Sequence, residues 1–437
     1  MGRSLFGTDG VRGAAGDFLS ADLALALGRA AAARSPAEAP QVLIVRDTRE
    51  SGPMLEAALS AGVAAAGGDA LLGGVLPTPA AALLVRRFGL DLAAVVSASH
   101  NPYEDNGIKF FGPGGTKLSD AEEAEIEAGL ERPAPSSSPG TVRQLRGAVG
   151  DYLRELEGRF QSLDLTGTRV LLDCAHGATY RVAPEIFRRL GAEVEVLAAE
   201  PDGRNINEGV GSTHVEALAS RMAGGAFDAG FAFDGDGDRV LAVDRRGTVV
   251  DGDELIALAA LHHRDTGRLA GGGVAVTVMT NFGFHQAMGE AGVPVATTKV
   301  GDRYVLAELL ERGWALGGEQ SGHIIDTSFV PAGDGTAAAL MTLEALEGTD
   351  LAERGAMRKL PQRLVNVRVA DRGALDGAAE VWRGVESEQG ALAGRGRVLV
   401  RPSGTEALVR VMVEAPEDVE CEAITGRLVA LVERELG

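Results

Sequence analysis

Short apolar runs alternate along this chain with segments in which apolar residues recur at helical spacing. The runs predict strands, and the periodic segments predict helices. The predicted strands are 41–45, 93–96, 169–172, 194–197, 228–233, 240–243, 274–279 and 293–298. The predicted helices are 54–66, 151–160, 183–190, 254–262 and 303–312. Alternation on this scale indicates α/β layers with mainly parallel sheets.

Two changes in this pattern suggest domain boundaries. The stretch 133–140 is rich in Pro and Ser, which predicts a linking loop. Beyond residue 363 the pattern changes to three strands and a closing helix, typical of a small α+β domain. These elements are predicted at 364–369, 397–400, 409–414 and 419–435. We therefore expect four domains, at 1–150, 151–251, 252–363 and 364–437, and the first three should resemble one another.

The composition excludes several classes of protein. A chain of 437 residues with 45% hydrophobic residues can bury a large core, which excludes disorder of the whole chain. The formal charge is 42 − 62 = −20, which argues against general binding to nucleic acid or to anionic membranes. Any anionic ligand must therefore meet local basic groups.

We expect a cytoplasmic protein. The most apolar long window, 64–85, is broken by an aspartate and two prolines, so no membrane span is expected. Charged residues interrupt the first positions, where a signal peptide would need an apolar stretch. The two cysteines, Cys174 and Cys421, cannot make a disulfide framework and favour a reducing compartment.

Two residue types are scarce and informatively placed. Only 4 of the 42 basic residues are lysines, so a lysine such as Lys109 suggests a site that needs a compact, deprotonatable ammonium. Four of the six asparagines lie in two short polar stretches, Asn101 with Asn106 and Asn205 with Asn207. Scarce residues in clusters indicate candidate sites.

The segment 231–239 carries the most specific chemical signal. An apolar strand leads into Asp234, Asp236 and Asp238, which are separated by glycines. Hard oxygen ligands of this kind suit Mg²⁺ or Ca²⁺. An EF-hand is excluded because its Gly and Glu positions hold Arg239 and Arg245. Few protein ligands leave room for a phosphate oxygen, which favours Mg²⁺ over Ca²⁺. The alternative to a metal site is a solvated acidic turn.

The segment 97–109 follows a short predicted strand, where α/β folds place reactive loops. Ser99 lies beside His100 and Asn101, with Lys109 ten residues further on. This serine could be a nucleophile or a phosphate acceptor. Spacing alone does not separate that role from a capped turn, in which Ser and Asn are also favoured.

Two further loops suit a phosphorylated sugar. Around 401–410, arginines, hydroxyls and a glycine at a strand end provide what a phosphate monoester needs, and the alternative is a surface turn. The segment 317–323 presents Glu, Gln, Ser and His on a glycine-rich loop, which suits sugar hydroxyls without being specific for them.

Taken together, these motifs resemble the α-D-phosphohexomutase superfamily over the whole chain. Five segments occur in that family's order, namely 6–13, 97–102, 234–239, 319–323 and 401–405. The sequences at 6–13, 97–111, 201–214 and 317–324 are similar to the bacterial phosphoglucosamine mutase branch. The phosphomannomutase/phosphoglucomutase branch usually has Thr at the position of Ser97 and Met at that of Gln320.

The resemblance implies an α/β, four-domain architecture, with three similar α/β domains of mixed sheets and a C-terminal α+β domain around a central cleft. It implies that Ser99 carries a phosphoryl group and that Asp234, Asp236 and Asp238 hold Mg²⁺ together with that phosphate. The other implied catalytic residues are His100, Lys109, Arg12 and His323. The implied substrate-binding residues are Arg239, Glu319, Ser321, Arg401, Ser403, Gly404, Thr405 and Arg410.

The implied reaction interconverts glucosamine 6-phosphate and glucosamine 1-phosphate and feeds UDP-N-acetylglucosamine and cell-wall synthesis. Glucosamine 1,6-bisphosphate or glucose 1,6-bisphosphate would be the activator, and a kinase or self-phosphorylation would charge Ser99. We expect a monomer or homodimer. The alternatives are phosphomannomutase/phosphoglucomutase activity, a haloacid-dehalogenase-type phosphotransferase with Asp236 as nucleophile, and a sugar-phosphate binding protein without turnover.

Overall fold

The computed structural model describes residues 5–7, 9–131, 138–403 and 406–437. These residues form four sheets with helices packed against them. They divide into two compact units, the first made of Met1–Val278 with Val295–Arg354 and the second of Met279–Pro294 with Gly355–Gly437. Of the helices formed by these described residues, none combines the length and apolar composition that a membrane crossing needs.

The first sheet mixes parallel and antiparallel strands. Its strands are β1 (Val11–Ala14), β2 (Gln41–Arg46), β3 (Asp69–Val75), β4 (Leu92–Val96), β5 (Asp105–Phe111) and β6 (Val142–Gln144), in the spatial order β1-β5-β4-β2-β3-β6. Its helices are α1 (Ala21–Arg34), α2 (Gly52–Ala65), α3 (Thr78–Phe88) and α4 (Asp120–Gly129). Strand β5 runs antiparallel to β1 and β4, and its register places Gly107 opposite Arg12 and Lys109 opposite Val95. This pairing brings Arg12 and Lys109 towards the loop that follows β4.

The second sheet presents the aspartate-rich loop. Helices α5 (Ala148–Arg159), α6 (Val182–Arg189) and α7 (Glu216–Met222) accompany strands β7 (Arg169–Asp173), β8 (Glu193–Leu197), β9 (Ala229–Phe233), β10 (Val240–Asp244) and β11 (Val249–Val250). Strands β9 and β10 are antiparallel, with Phe233 opposite Val240. The six residues 234–239 therefore form the connecting hairpin loop, at the end of the buried apolar strand β9.

The third sheet carries the candidate sugar loop. Its strands are β12 (Val274–Thr277), β13 (Val295–Thr298), β14 (Leu316–Gly318), β15 (Ile324–Asp326) and β16 (Val330–Gly333). The helices of this part of the sequence are α8 (Gly252–Asp265), α9 (Phe282–Glu290), α10 (Asp302–Arg312) and α11 (Gly335–Leu346), with short 3₁₀ turns at Ala270–Gly272 and Leu351–Glu353. Residues 319–323 connect the antiparallel strands β14 and β15.

The second unit is built on an antiparallel sheet of β17 (Gln362–Arg368), β18 (Arg397–Pro402) and β19 (Leu408–Glu414). Helices α12 (Ala379–Leu392) and α13 (Asp418–Leu436) pack on it, after a 3₁₀ turn at Arg372–Gly377. Helix α9 also belongs to this unit, because the Asn281 amide exchanges two 3.0 Å hydrogen bonds with the backbone of Leu360. The C-terminal α+β pattern predicted from the sequence is present.

Candidate active site

The loop after β4 holds Ser99 against the aspartate-rich loop after β9. Ser99 is buried, and its hydroxyl donates to Asp234 Oδ2 over 2.6 Å. Its backbone φ is 52°, in the left-handed region that residues other than glycine rarely adopt. The Ser99 N–H donates to Ser97 Oγ at 2.9 Å. The loop therefore fixes the Ser99 oxygen next to the first carboxylate.

The hairpin loop 234–239 brings its three carboxylates together. Asp234, Asp236 and Asp238 are all buried, and one oxygen of each lies within 4.8 Å of the others. Burial, together with repulsion by the other two aspartates, raises the pKa of Asp234 well above its ordinary value. Burial alone would also raise the pKa of Asp238, but Lys109 and His323 hold it well below its usual range.

These aspartates fit a hard divalent cation. Within the described part of the chain, Asp236 Oδ1 and Asp238 Oδ1 are buried without a hydrogen-bond partner. Buried carboxylate oxygens without a partner are costly unless a cation or donor meets them. Mg²⁺ prefers carboxylate oxygens of this kind and keeps positions open for phosphate. The donor set is therefore suited to Mg²⁺.

Basic residues from the first sheet surround the carboxylates. The Lys109 ammonium donates to Asp236 Oδ2 at 2.7 Å and lies 3.7 Å from carboxylate oxygens of Asp9 and Asp238. Burial opposes the charge of Lys109, but these three carboxylates raise its pKa above the ordinary value. Arg12 pairs with Asp9 and donates to the Ala98 carbonyl at 3.2 Å, next to Ser99.

Two histidines and an arginine complete this cluster. His100 Nδ1 lies 3.2 Å from Ser99 Oγ, and burial with nearby arginines lowers its pKa. His323 is buried 3.7 Å from an Asp238 oxygen, and although burial opposes it, that carboxylate raises the His323 pKa. The Arg239 N–H donates to Asp234 Oδ1 at 3.1 Å. The structure thus places these three residues beside Ser99 and the aspartates.

The sequence analysis missed Asp9, Lys117 and Asp302 as parts of this cluster. The ammonium of the half-buried Lys117 bridges the carboxylates of Asp9 and Asp302. Asp302 in turn lies 3.7 Å from His323 Nε2. The scarcity of lysine, which drew attention to Lys109, applies equally to Lys117 and was a usable signal.

The candidate sugar loop is anchored by one hydrogen bond to a side chain and one between backbone groups. Glu319 Oε1 accepts a 2.9 Å hydrogen bond from the Gly301 N–H, and the loop closes through Glu319 N–H to the His323 carbonyl at 3.0 Å. Glu319 is half-buried and Ser321 is exposed. Both side chains are therefore available to a polar ligand.

The candidate phosphate loop lies in the second unit. Arg401 and Arg410 face each other on β18 and β19, and burial with the charge of Arg410 lowers the Arg401 pKa. Like charges directly opposite on a sheet are unfavourable without a counter-ion, so this pair suits an anion. Ser403 is buried, and its carbonyl accepts from Arg372, which the sequence analysis did not single out. Gly404 and Thr405 lie outside the described residues.

Four family models match successive segments of the chain. They are described as phosphoglucomutase/phosphomannomutase alpha/beta/alpha domain I at residues 3–136, domain II at 150–247, domain III at 251–363 and the C-terminal domain at 364–431. The predicted fold class is confirmed by this succession.

Curated relatives and solved structures agree with these matches. A phosphoglucosamine mutase of Desulforudis audaxviator is 50% identical, covering 98% of both chains. One of Geobacillus kaustophilus is 47% identical over 99% of both. A phosphoglucomutase/phosphomannomutase family protein of Burkholderia thailandensis superposes with a TM-score of 0.82, at 24% identity and with coverage of 98% of this chain and 97% of that one.

Two solved structures of an Aspergillus fumigatus N-acetylphosphoglucosamine mutase contain ligands. One, in complex with GlcNAc-6P and magnesium, gives a TM-score of 0.68 at 18% identity, covering 100% of this chain and 96% of that one. The other holds glucose 1,6-bisphosphate and gives a TM-score of 0.66 at 19% identity, covering 98% of this chain and 95% of that one. At these identities the likeness concerns the fold.

The family models and full-length relatives lead to one conclusion. The five motif segments that carried the resemblance all lie within the residues that the family models match. The models and relatives identify the chain as an isomerase of the phosphohexomutase type. The chain belongs to the phosphoglucomutase/phosphomannomutase family, the α-D-phosphohexomutases.

Proposed function

We propose that the protein interconverts glucosamine 6-phosphate and glucosamine 1-phosphate, with Ser99 as the residue that carries the transferred phosphoryl group. The observation that carries this proposal is the buried contact between Ser99 Oγ and Asp234 Oδ2 at 2.6 Å, inside a cluster of carboxylates and cations. Full-length relatives that are 50% and 47% identical bear the name phosphoglucosamine mutase, which supports an amino sugar as the substrate.

Each half of the proposed reaction moves one phosphoryl group. The P–O bond to Ser99 breaks and a P–O bond to the free sugar hydroxyl forms, while that hydroxyl loses a proton and Ser99 Oγ gains one. The resulting hexosamine 1,6-bisphosphate reorients, and its other phosphoryl group returns to Ser99. His323 lies beside Asp238 and is the proposed proton-transfer group. Lys109 was predicted to share this role, but against the effect of burial the carboxylates around it raise its pKa and favour a role as a fixed positive charge.

The chain's own residues supply part of the positive charge that a phosphoserine would need. A phosphoserine at position 99 would add a charge of roughly −2. Arg12, Lys109 and Arg239 lie around Ser99 and the aspartates and would offset this charge. When bound at Asp234, Asp236 and Asp238, Mg²⁺ would neutralise charge on the transferring phosphoryl group.

Discrimination among sugars should depend on the loop 319–323. Glucosamine, glucose and mannose phosphates differ mainly at C2, so the phosphate-binding pair Arg401 and Arg410 should treat them alike. Glu319 and Ser321 are the predicted contacts for ring hydroxyls and for the C2 group. Exchange of a hydroxyl for an ammonium is a mild change, so we expect a preference for glucosamine with measurable leakage to the other sugars.

The test is kcat/KM for the 1-phosphates of glucosamine, glucose and mannose, each with a catalytic amount of one activating bisphosphate. The proposal expects the glucosamine compound to have the highest value and a Ser99→Ala variant to be inactive with all three. A higher value for mannose or glucose phosphate would replace the amino-sugar assignment by phosphomannomutase/phosphoglucomutase activity. Equal turnover in Ser99→Ala would overturn the role of the serine.

A further inference from the structure

Ser99 has an unfavourable backbone conformation, which is held by side chains that are not among the proposed catalytic residues. A non-glycine residue in the left-handed region is strained and persists there only where its surroundings enforce it. The φ of 52° at Ser99 is such a case, and the loop 97–101 must therefore be fixed by neighbours. Two side chains donate to the same two carbonyl oxygens of this loop.

The first is Arg49, which follows β2 in the sequence and precedes α2. Its side chain is fully buried. Its Nη2 donates to the carbonyls of Ser99 and Asn101, each at 2.9 Å. Its Nη1 donates to the carbonyl of Asp105 at 3.0 Å and also to that of Pro102. One planar guanidinium thus holds the loop at several points, which an ammonium cannot do.

Asp47 orients this arginine and reaches Ser99 by a second route. Its Oδ2 accepts from Arg49 Nε at 2.8 Å and from the Ser97 hydroxyl at 2.6 Å. That Ser97 hydroxyl is the acceptor for the Ser99 N–H at 2.9 Å. Both the N–H and the carbonyl of Ser99 are therefore tied to the Asp47–Arg49 pair.

The second donor is Asn207, which follows β8 and comes from the scarce asparagine stretch 205–207. Its Nδ2 donates to the Ser99 carbonyl at 3.0 Å and to the Asn101 carbonyl at 3.1 Å. Gly235 of the aspartate-rich loop packs against the same place, since a Cβ there would lie 2.5 Å from Ser99 O and 2.8 Å from Asn207 Nδ2. The Ser99 carbonyl is therefore enclosed by groups from both sheets.

We infer that Arg49 and Asn207 are positioning residues for phosphoryl transfer, which hold the Ser99 backbone so that Oγ faces Asp234. This inference rests on the proposed role of Ser99. Neither side chain is hydrogen-bonded to Ser99 Oγ, the atom that would react and that pairs with His100 and Asp234. A displacement of the serine by about 1 Å can cost about 10²-fold in rate, so loss of either donor should lower kcat while KM for the sugar phosphate changes little.

The test uses full-length Arg49→Lys and Asn207→Asp, the latter an isosteric change that removes the donor. The matched controls are Arg46→Lys on the same strand and Asn205→Asp in the same stretch, because neither side chain donates to the 99–101 carbonyls. The measurements are kcat, KM, the thermal midpoint, and the single-turnover rate at which Ser99 takes labelled phosphate from glucosamine 1,6-bisphosphate.

We expect a fall of about 10- to 100-fold in labelling rate and kcat for both variants, with KM within about threefold of the wild type and controls unchanged. Labelling rates within about twofold of the wild type in folded variants would overturn the inference, as would losses confined to KM or matched by the controls. A wild-type protein that took no label on Ser99 would instead refute the proposed function itself. If Arg49→Lys does not fold, Asn207→Asp alone decides.

Discussion

Thr78 and Asp236 are joined by two hydrogen bonds, one from backbone to backbone and one between side chains. The Thr78 N–H donates to the Asp236 carbonyl at 2.8 Å, and the Thr78 hydroxyl donates to Asp236 Oδ2 at 2.6 Å. Lys109 donates to the same Oδ2 at 2.7 Å. Oδ2 is thus occupied, while among the described residues no donor meets Oδ1. Thr78, at the start of α3, orients the carboxylate so that Oδ1 is left for a cation.

We expect Thr78→Val to weaken Mg²⁺ binding by about 10- to 100-fold, because partners that orient a metal ligand contribute on that scale. Titration calorimetry with Mg²⁺ alone measures the effect. Thr78→Ser keeps the hydroxyl and is the control, which should bind like the wild type. Equal affinity in Thr78→Val and Thr78→Ser would show that the hydroxyl does not orient the ligand.

The covalent phosphate should be on Ser99 and not on an aspartate. Ser99 Oγ lies next to Asp234, so a chemical test must distinguish a phosphate on the serine from a phosphate on an aspartate. An aspartyl phosphate is cleaved by hydroxylamine, whereas phosphoserine resists it. We expect labelled protein to retain its phosphate in hydroxylamine and Ser99→Ala to take up none. Loss of the label, or its uptake by Ser99→Ala, would favour Asp236 as nucleophile.

Lys109 should act mainly as a fixed positive charge. Asp9, Asp236 and Asp238 raise its pKa against the effect of burial, so its ammonium form is stabilised. We expect Lys109→Met to lower kcat by about 10²-fold or more, because it leaves buried carboxylates uncompensated. Lys109→Arg keeps the charge and should lose much less. Equal loss in both variants, measured as kcat at saturating substrate, would instead support the predicted proton transfer at Lys109.

Periodicity predicted the regular elements well. The predicted strands and helices are present with bounds within three residues, from the strand at 41–45 to the closing helix at 419–435. The elements without a prediction include α1, which is rich in alanine, and β5, whose residues 105–111 were treated as part of a loop. Helix α9 and residues 355–363 lie in the second unit although both segments fall inside the predicted third domain. Asn281, at the start of α9, is hydrogen-bonded to Leu360, and this contact between segments 79 residues apart shows no pattern in the sequence.

The candidate site was predictable where its residues form a local motif. Ser99 and the three aspartates lie in short, unusual stretches, and the structure brings them together. Thr78, Lys117 and Asp302 each enter the cluster alone, through contacts more than a hundred residues apart in sequence. A single residue of an ordinary type carries no pattern, so only the fold shows its partner.

The buried carboxylate of Asp334 provides a prediction that concerns stability. Asp334 caps α11 through the Ala337 N–H at 2.9 Å and accepts the Tyr152 hydroxyl at 2.9 Å. Burial raises its pKa from 3.8 to about 6, against the lowering effect of these hydrogen bonds. Because the pKa of Asp334 is higher in the folded protein than in the unfolded chain, the folded state binds more protons than the unfolded state between pH 3.8 and about 6. The Asp334 contribution to stability is therefore lost as the pH rises through this window.

Asp334→Asn should remove this dependence while it keeps the helix cap and the acceptor for Tyr152. The interval from 3.8 to about 6 corresponds to about 3 kcal/mol at ~1.4 kcal/mol per pH unit. We expect the urea midpoint of Asp334→Asn to rise relative to the wild type between pH 4 and about 7 and to level off above that range. Tyr152→Phe removes a donor to the ionised carboxylate, so in that variant the window should extend to higher pH. A difference between wild type and Asp334→Asn that stays constant over the whole range would mean that Asp334 ionises at its ordinary pKa in the folded protein.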